Sequence, residues 1–206
     1  MTLETQAAHI LHIAGQRGVV RSHDVTEAGL ARATLMRLVR DGQLVQLARG
    51  VYALPGQRLS RQHPLAEVAA RSSRGVFCLL TALHFHGLIP RPPDAVWLAI
   101  PNKSRVPTGG NVPLEVVRFS GAALAEGVEH HLVDRIRIRV YAPGKTVADC
   151  FKFRGRVGLD TAVTALRTVL RRRLATRAEL EHYAGVCRAR ETMLPYLASG
   201  AVQARD

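Results

Sequence analysis

Cysteine is scarce in this chain, and the three that occur, Cys78, Cys150 and Cys187, are far apart and set in apolar segments. An odd, scattered set leaves no disulfide framework and points to reduced, buried thiols, as in a cytoplasmic protein. No run approaches the ~18–20 apolar residues that a membrane span needs, and the N-terminal stretch lacks the basic start and apolar centre of a secretory leader. Export and a membrane partner are therefore not expected. Lysine is also rare, with only Lys103, Lys145 and Lys152. Acidic residues are the minority sign: 16 Asp+Glu stand against 29 Lys+Arg, a formal net charge of +13. Such a balance favours a polyanionic partner such as nucleic acid, although an arginine-rich proteome produces the same excess. Residues 1–60 carry 7 Lys+Arg and 4 Asp+Glu, a net of +3, so residues 61–206 hold the remaining +10. Most of the excess charge lies outside the N-terminal region, which implies a second polyanion-facing surface or a firmer grip on flanking DNA.

Catalytic signatures are missing as well. There is no Walker loop, GxSxG elbow or Rossmann fingerprint. His84 and His86, and the pair His130 and His131, have no Cys or carboxylate at zinc-motif spacing, and the first two sit in an apolar segment that suits core histidines. Cys150 has no visible base to activate it. No cofactor is implied.

What the chain does have is 206 residues, 47% of them hydrophobic, enough for one small and one larger folded part. Ser22 to Gly56 reads as helix, turn, helix and basic β-hairpin, the order of a winged helix-turn-helix. Ala7, Ile10, Leu11 and Ala14 mark a preceding amphipathic helix ending near Gly15. Ser22 is the expected N-cap of a short helix that stops at Gly29, whose freedom at positive φ suits a tight turn. Ala31 or Thr34 opens the next helix. There Leu35, Leu38 and Val39 recur at the i, i+3, i+4 spacing of a buried stripe, leaving Arg32, Ala33, Met36, Arg37 and Arg40 on the other side. Arginines beside small residues suit the major groove, where a guanidinium pairs bidentately with guanine O6 and N7. Strands over 44–47 and 50–54 flank a tip at Ala48-Arg49, where Arg49 is placed to reach phosphate or a minor groove. The expected DNA-contacting set is Arg32, Ala33, Thr34, Arg37 and Arg40 from the second helix, with Arg49 and Tyr52 from the wing. A solvated basic helix face is the plainer alternative for Arg37 and Arg40.

A polar stretch between Gly56 and Pro64 separates this module, residues 1–58, from a second domain over 62–206. In the latter, a helix from Pro64, a nearly all-apolar buried helix over 76–88, strands over 95–100 and 114–119, and a hairpin over 128–141 are predicted. The loop PNKSRVPTGGNVP is long, basic and rich in Pro and Gly, a composition common in functional or mobile loops. The hairpin turns at Asp134-Arg135, with Ile136, Ile138 and Val140 inward and Arg135, Arg137 and Arg139 outward. Beyond Pro143-Gly144 the pattern is helical. The expected class is α+β: a winged helix-turn-helix, then a larger domain with a small, mostly antiparallel sheet and a helical C-terminal tail.

The N-terminal pattern, the TALHFHGL helix and the stretch APGKTVADCFKFRGRVGLDTAVTALR together resemble the AbiEi-type antitoxins of type IV toxin–antitoxin systems. The resemblance runs over nearly the whole chain, and its most specific part is the block from Lys145 to Asp160. It implies an autorepressor that binds inverted repeats in its own promoter DNA. It also implies a C-terminal domain that neutralises a nucleotidyltransferase-like toxin without a stable complex. Within the block, Val147, Ala148, Cys150 and Phe151 read as core. Lys145, Asp149, Lys152, Arg154 and Arg156 are then the partner-facing candidates, with Asp149 at helical spacing from both Lys145 and Lys152. Docking of a helix is an equally good reading of the block. Arg171-Arg172-Arg173 reads either as basic surface or as a helix end complementing the dipole.

The rival class is an enzyme localised by the DNA-binding module. Asp94 and Glu115 faintly resemble the carboxylates of a metal-dependent nuclease, but the position two residues on is Val117 rather than lysine, and Arg118 points to the opposite face.

Overall fold

A computed structural model describes residues 3–48, 50–56, 60–108, 112–134 and 136–200. Arg49 and Arg135, together with parts of the interdomain stretch and of the Pro/Gly loop, lie outside the described residues. The described residues divide into two compact units. The first is drawn from residues 1–73, 107–112 and 131–138, and the second from 74–106, 113–130 and 139–206.

In the first unit, helix α1 (Leu3–Arg17) buries Ile10 and Ala14. A two-residue strand β1 (Val20–Arg21) leads into α2 (Ser22–Glu27). Its N-cap is Arg21 rather than the expected Ser22, because the Arg21 N–H donates to the Asp24 carboxylate at 3.0 Å. The helix closes in a Schellman motif: Leu30 N–H bonds the Val25 carbonyl at 2.9 Å and Gly29 N–H bonds Thr26 at 3.0 Å, with Gly29 at φ 67. Leu30 and Val25 are both buried, the apolar contact that seals this motif. Helix α3 (Arg32–Arg40), capped by Ala31, ends the same way at Gly42, with Gln43 N–H on the Leu38 carbonyl. Strands β2 (Val45–Ala48) and β3 (Val51–Ala53) pair antiparallel, and β1 adds to β3 to give the order β1-β3-β2. The core joins Ile10, Ala14, Val20, Val25, Leu30, Leu35, Leu38, Leu44 and Tyr52. Burial of each large aliphatic chain contributes about 1.5–3 kcal/mol, enough to hold a small module together. Helix α4 (His63–Arg71) starts where His63 meets the Asp134 carboxylate at 2.8 Å.

The second unit departs from the predicted pattern at its start. The segment expected as one helix over 76–88 is strand β4 (Val76–Phe77) followed by α5 (Leu79–Phe85). An apolar run does not distinguish a buried helix from a central strand; the pairing partners decide. Here Val76 and Phe77 pair antiparallel with Ala99 and Leu98 of β5 (Val96–Pro101), and Phe77 pairs parallel with Val140 of a later strand. After β5 come β6 (Leu114–Phe119), α6 (Ala122–Ala125), β7 (Val128–Val133) and β8 (Ile136–Tyr141). The sheet order is β6-β5-β4-β8-β7. It is mixed rather than mostly antiparallel, since β5 with β6 and β4 with β8 run parallel. Ile136, Ile138 and Val140 are buried while Arg137 is exposed, the alternation expected for this strand.

The helical tail consists of α7 (Pro143–Lys152), α8 (Arg154–Val157), α9 (Leu159–Arg171), α10 (Arg177–Val186) and α11 (Arg190–Gly200). Helix α7 is buried from Gly144 to Phe151 because it packs against α5, α9, α10 and α11. Among the described residues no helix is long and apolar enough to cross a membrane.

Candidate nucleic-acid interface

Helix α3 is held by one face and free on the other. Thr34 and Leu35 are buried and Leu38 is 2% exposed, whereas Arg32, Ala33 and Arg40 are exposed, Met36 is 42% exposed and Arg37 is half-buried. The i, i+3, i+4 stripe therefore faces the core as its spacing requires. Arg40 has only a loose contact with Asp41, 3.5 Å between exposed side chains, so its guanidinium remains available to an anion.

Gln6 on α1 sets the start of this helix. Its Oε1 accepts from the Ala31 N–H at 3.1 Å and from the Thr34 hydroxyl at 3.3 Å, an N-cap supplied from a remote helix where Ala31 has no capping side chain. No local pattern announces Gln6, because its partners lie 25 and 28 residues away.

Two members of the expected DNA-contacting set sit elsewhere than expected. Thr34, 1% exposed, is turned to Gln6, and Tyr52, 3% exposed, is a core residue at the centre of the three-stranded sheet. Both belong to the interior because their neighbours cover them, which residue type and order do not reveal. The exposed members are Arg32, Ala33 and Arg40, with Arg37 at the margin.

The partner-facing candidates separate in the same manner. Lys145 and Asp149 are buried, at 0% and 1% exposure, and pair at 2.7 Å, so neither presents a surface. The ammonium lies over the Tyr141 ring at 4.1 Å and the Phe119 ring at 5.0 Å. Burial pushes the Asp149 carboxyl above the usual carboxylate range, and Lys145 pulls it back down. Of the two lysines at helical spacing, Asp149 takes the one four residues earlier. Lys152, Arg154 and Arg156 are exposed. Arg156 binds Glu115 at 2.7 Å, both side chains at the surface, and stacks on Trp97 at 4.5 Å. His86 Nε2 lies 2.8 Å from the Tyr141 carbonyl, a structural bond. Among the described residues no cluster of three or more His, Cys, Asp or Glu is arranged to hold a metal ion. Burial raises the thiols of Cys78, Cys150 and Cys187 well above their ordinary value, so they stay protonated.

Three helices with α3 presented outward, followed by a β-hairpin joined to β1, define the winged helix-turn-helix class of transcriptional regulators. Residues 10–55 match the family model described as transcriptional regulator, AbiEi antitoxin. That match covers the helix-turn-helix and wing, whereas the block at 145–160, the most specific part of the resemblance in sequence, lies outside it. None of the curated proteins compared matches the chain. Three solved chains match, among them the RV2827C protein from Mycobacterium tuberculosis at 21% identity and TM-score 0.63, covering 95% of this chain and 77% of that one. At that identity the likeness is one of fold.

Proposed function

We propose that this protein is the antitoxin of a type IV toxin–antitoxin system. Its module over 1–58 binds inverted repeats in its own promoter as an autorepressor, and its domain over 62–206 neutralises a nucleotidyltransferase-like toxin. The observation that carries the DNA reading is α3: a helix locked to its core by Leu35 and Leu38, positioned at its start by Gln6, and presenting Arg32, Ala33, Met36 and Arg40 outward. Small residues beside guanidinium groups allow close approach to base edges. The match of residues 10–55 to a family of antitoxin regulators supports the same reading. Lys152, Arg154 and Arg156 are the surface from which neutralisation is expected to act, since Lys145 and Asp149 are enclosed.

A salt-dependent mobility-shift titration on the protein's own upstream DNA, against a scrambled duplex of equal length, tests the DNA reading. A specific repressor retains a preference of about 10³-fold or more at physiological salt. Equal, steeply salt-sensitive binding to both duplexes overturns it, because counterion release alone then accounts for the affinity.

A further inference from the structure

A cavity of about 460 Å³ opens in the second unit, bounded by the end of β6, the turn into α6, the end of α7 and the turn after α10. Arg118, Lys152 and Arg188 line it, against the single carboxylate of Asp149. That carboxylate is already neutralised by the buried Lys145 at 2.7 Å, so the wall is strongly positive. Among the described residues neither Lys152 nor Arg188 has an ion-pair partner, and both are exposed. Arg118 is engaged through one guanidinium nitrogen, which donates to the carbonyls of Pro101, Asn102 and Ser104 and fixes its position at the rim. Ser120 adds a hydroxyl, and Phe119 and Phe153, ring centroids 5.6 Å apart, give the cavity an apolar side. Unpaired cations around a concave, partly aromatic space of this size are what a multiply charged small ligand requires.

We propose that this cavity binds a small phosphorylated metabolite, with Lys152 and Arg188 holding the phosphate and the Phe119–Phe153 side covering the rest of the molecule. The site does not rest on the antitoxin reading, although it shares Lys152 with the surface proposed there. A phosphate of duplex DNA offers the same chemistry, and the experiment separates the two sources.

The test is calorimetric titration of the full chain with inorganic pyrophosphate at fixed ionic strength, alongside the K152Q/R188G variant. Arg188 occupies a left-handed backbone position, φ 54, so glycine there removes the guanidinium while easing the backbone. Lys152 is exposed at a helix end, so the variant is expected to fold, which its melting curve checks. The expected result is a single saturable site, weakened about tenfold or more in K152Q/R188G and retained in R37A/R40A. No saturable binding by the natural chain overturns the proposal, as does equal affinity in K152Q/R188G. Loss in R37A/R40A alone also overturns it, since the anion then sits on α3. A K152Q/R188G variant that loses affinity for a scrambled duplex but keeps it for pyrophosphate reassigns the two cations to nucleic acid. Should the double variant melt early, K152Q alone decides on the same criterion.

Discussion

Lys145 and Asp149 are the two charges that the fold removes most completely from water. Taking an ion pair into a protein interior costs several kcal/mol per ion, and the short contact at 2.7 Å with two aromatic rings around the ammonium offsets that cost. The pair therefore contributes little net stability but is expensive to break. D149A is expected to lower unfolding free energy by about 3–5 kcal/mol, whereas K145M/D149L stays much closer to the natural chain, as measured by urea denaturation. A double variant as damaged as D149A would show that the two side chains do not act as a unit. Gln6, half-buried on α1, is a second residue with more influence than its position indicates. Q6A strips acceptors from the Ala31 N–H and the Thr34 hydroxyl, and is expected to weaken promoter binding about threefold to tenfold below the melting temperature. Q6E, which keeps an acceptor, should lose less; an undiminished affinity in Q6A would leave Gln6 no positioning role.

Among the elements, α10 shows most plainly how a short sequence sets a helix boundary. The Glu179 N–H bonds the Thr176 hydroxyl at 3.2 Å, and the Thr176 N–H bonds the Glu179 carboxylate at 2.7 Å, a reciprocal capping box. The hydrogen bonds from Thr176 hold Glu179 below the usual carboxylate range. A group whose folded-state pKa is lowered stabilises the fold above its unfolded pKa, near 4.3, and loses that contribution as pH falls through the folded value. T176A is expected to lower Tm by about 2–4 °C at pH 7, and the difference should narrow as the pH falls through the folded-state value and Glu179 is protonated. A difference independent of pH would place the effect in Thr176 alone. The end of α2 was legible at Gly29, because a Schellman turn needs only a glycine set between apolar neighbours such as Val25 and Leu30. Strand β4 was not, since two apolar residues become a strand only when β5 and β8 arrive on either side.

Over the whole molecule, the charge of +13 makes any binding to nucleic acid dependent on salt, so affinity alone says little about specificity. The informative comparison is between activities. R37A/R40A is expected to reduce promoter affinity by about 1–3 kcal/mol for each guanidinium–base pairing that the substitution removes, while toxin neutralisation in cells persists. Concurrent failure of neutralisation would show that the two regions do not divide the labour. The set of partner-facing candidates is narrower than the sequence indicated, because two of the five, Lys145 and Asp149, are buried and three remain at the surface.

By itself, the sequence determined whatever depends on near neighbours: the order of helix, turn, helix and hairpin, the buried stripe of α3, the glycine at its turn and the alternation along β8. Those features follow from backbone geometry over a few residues, and the match of residues 10–55 falls on such a region. Tertiary structure alone decided that Thr34 and Tyr52 lie inside, that Gln6 caps a helix 25 residues away, that the larger sheet is mixed, and that Asp149 chooses Lys145. The physical reason is common to all four: burial and pairing depend on which distant surfaces meet, and no local period records that.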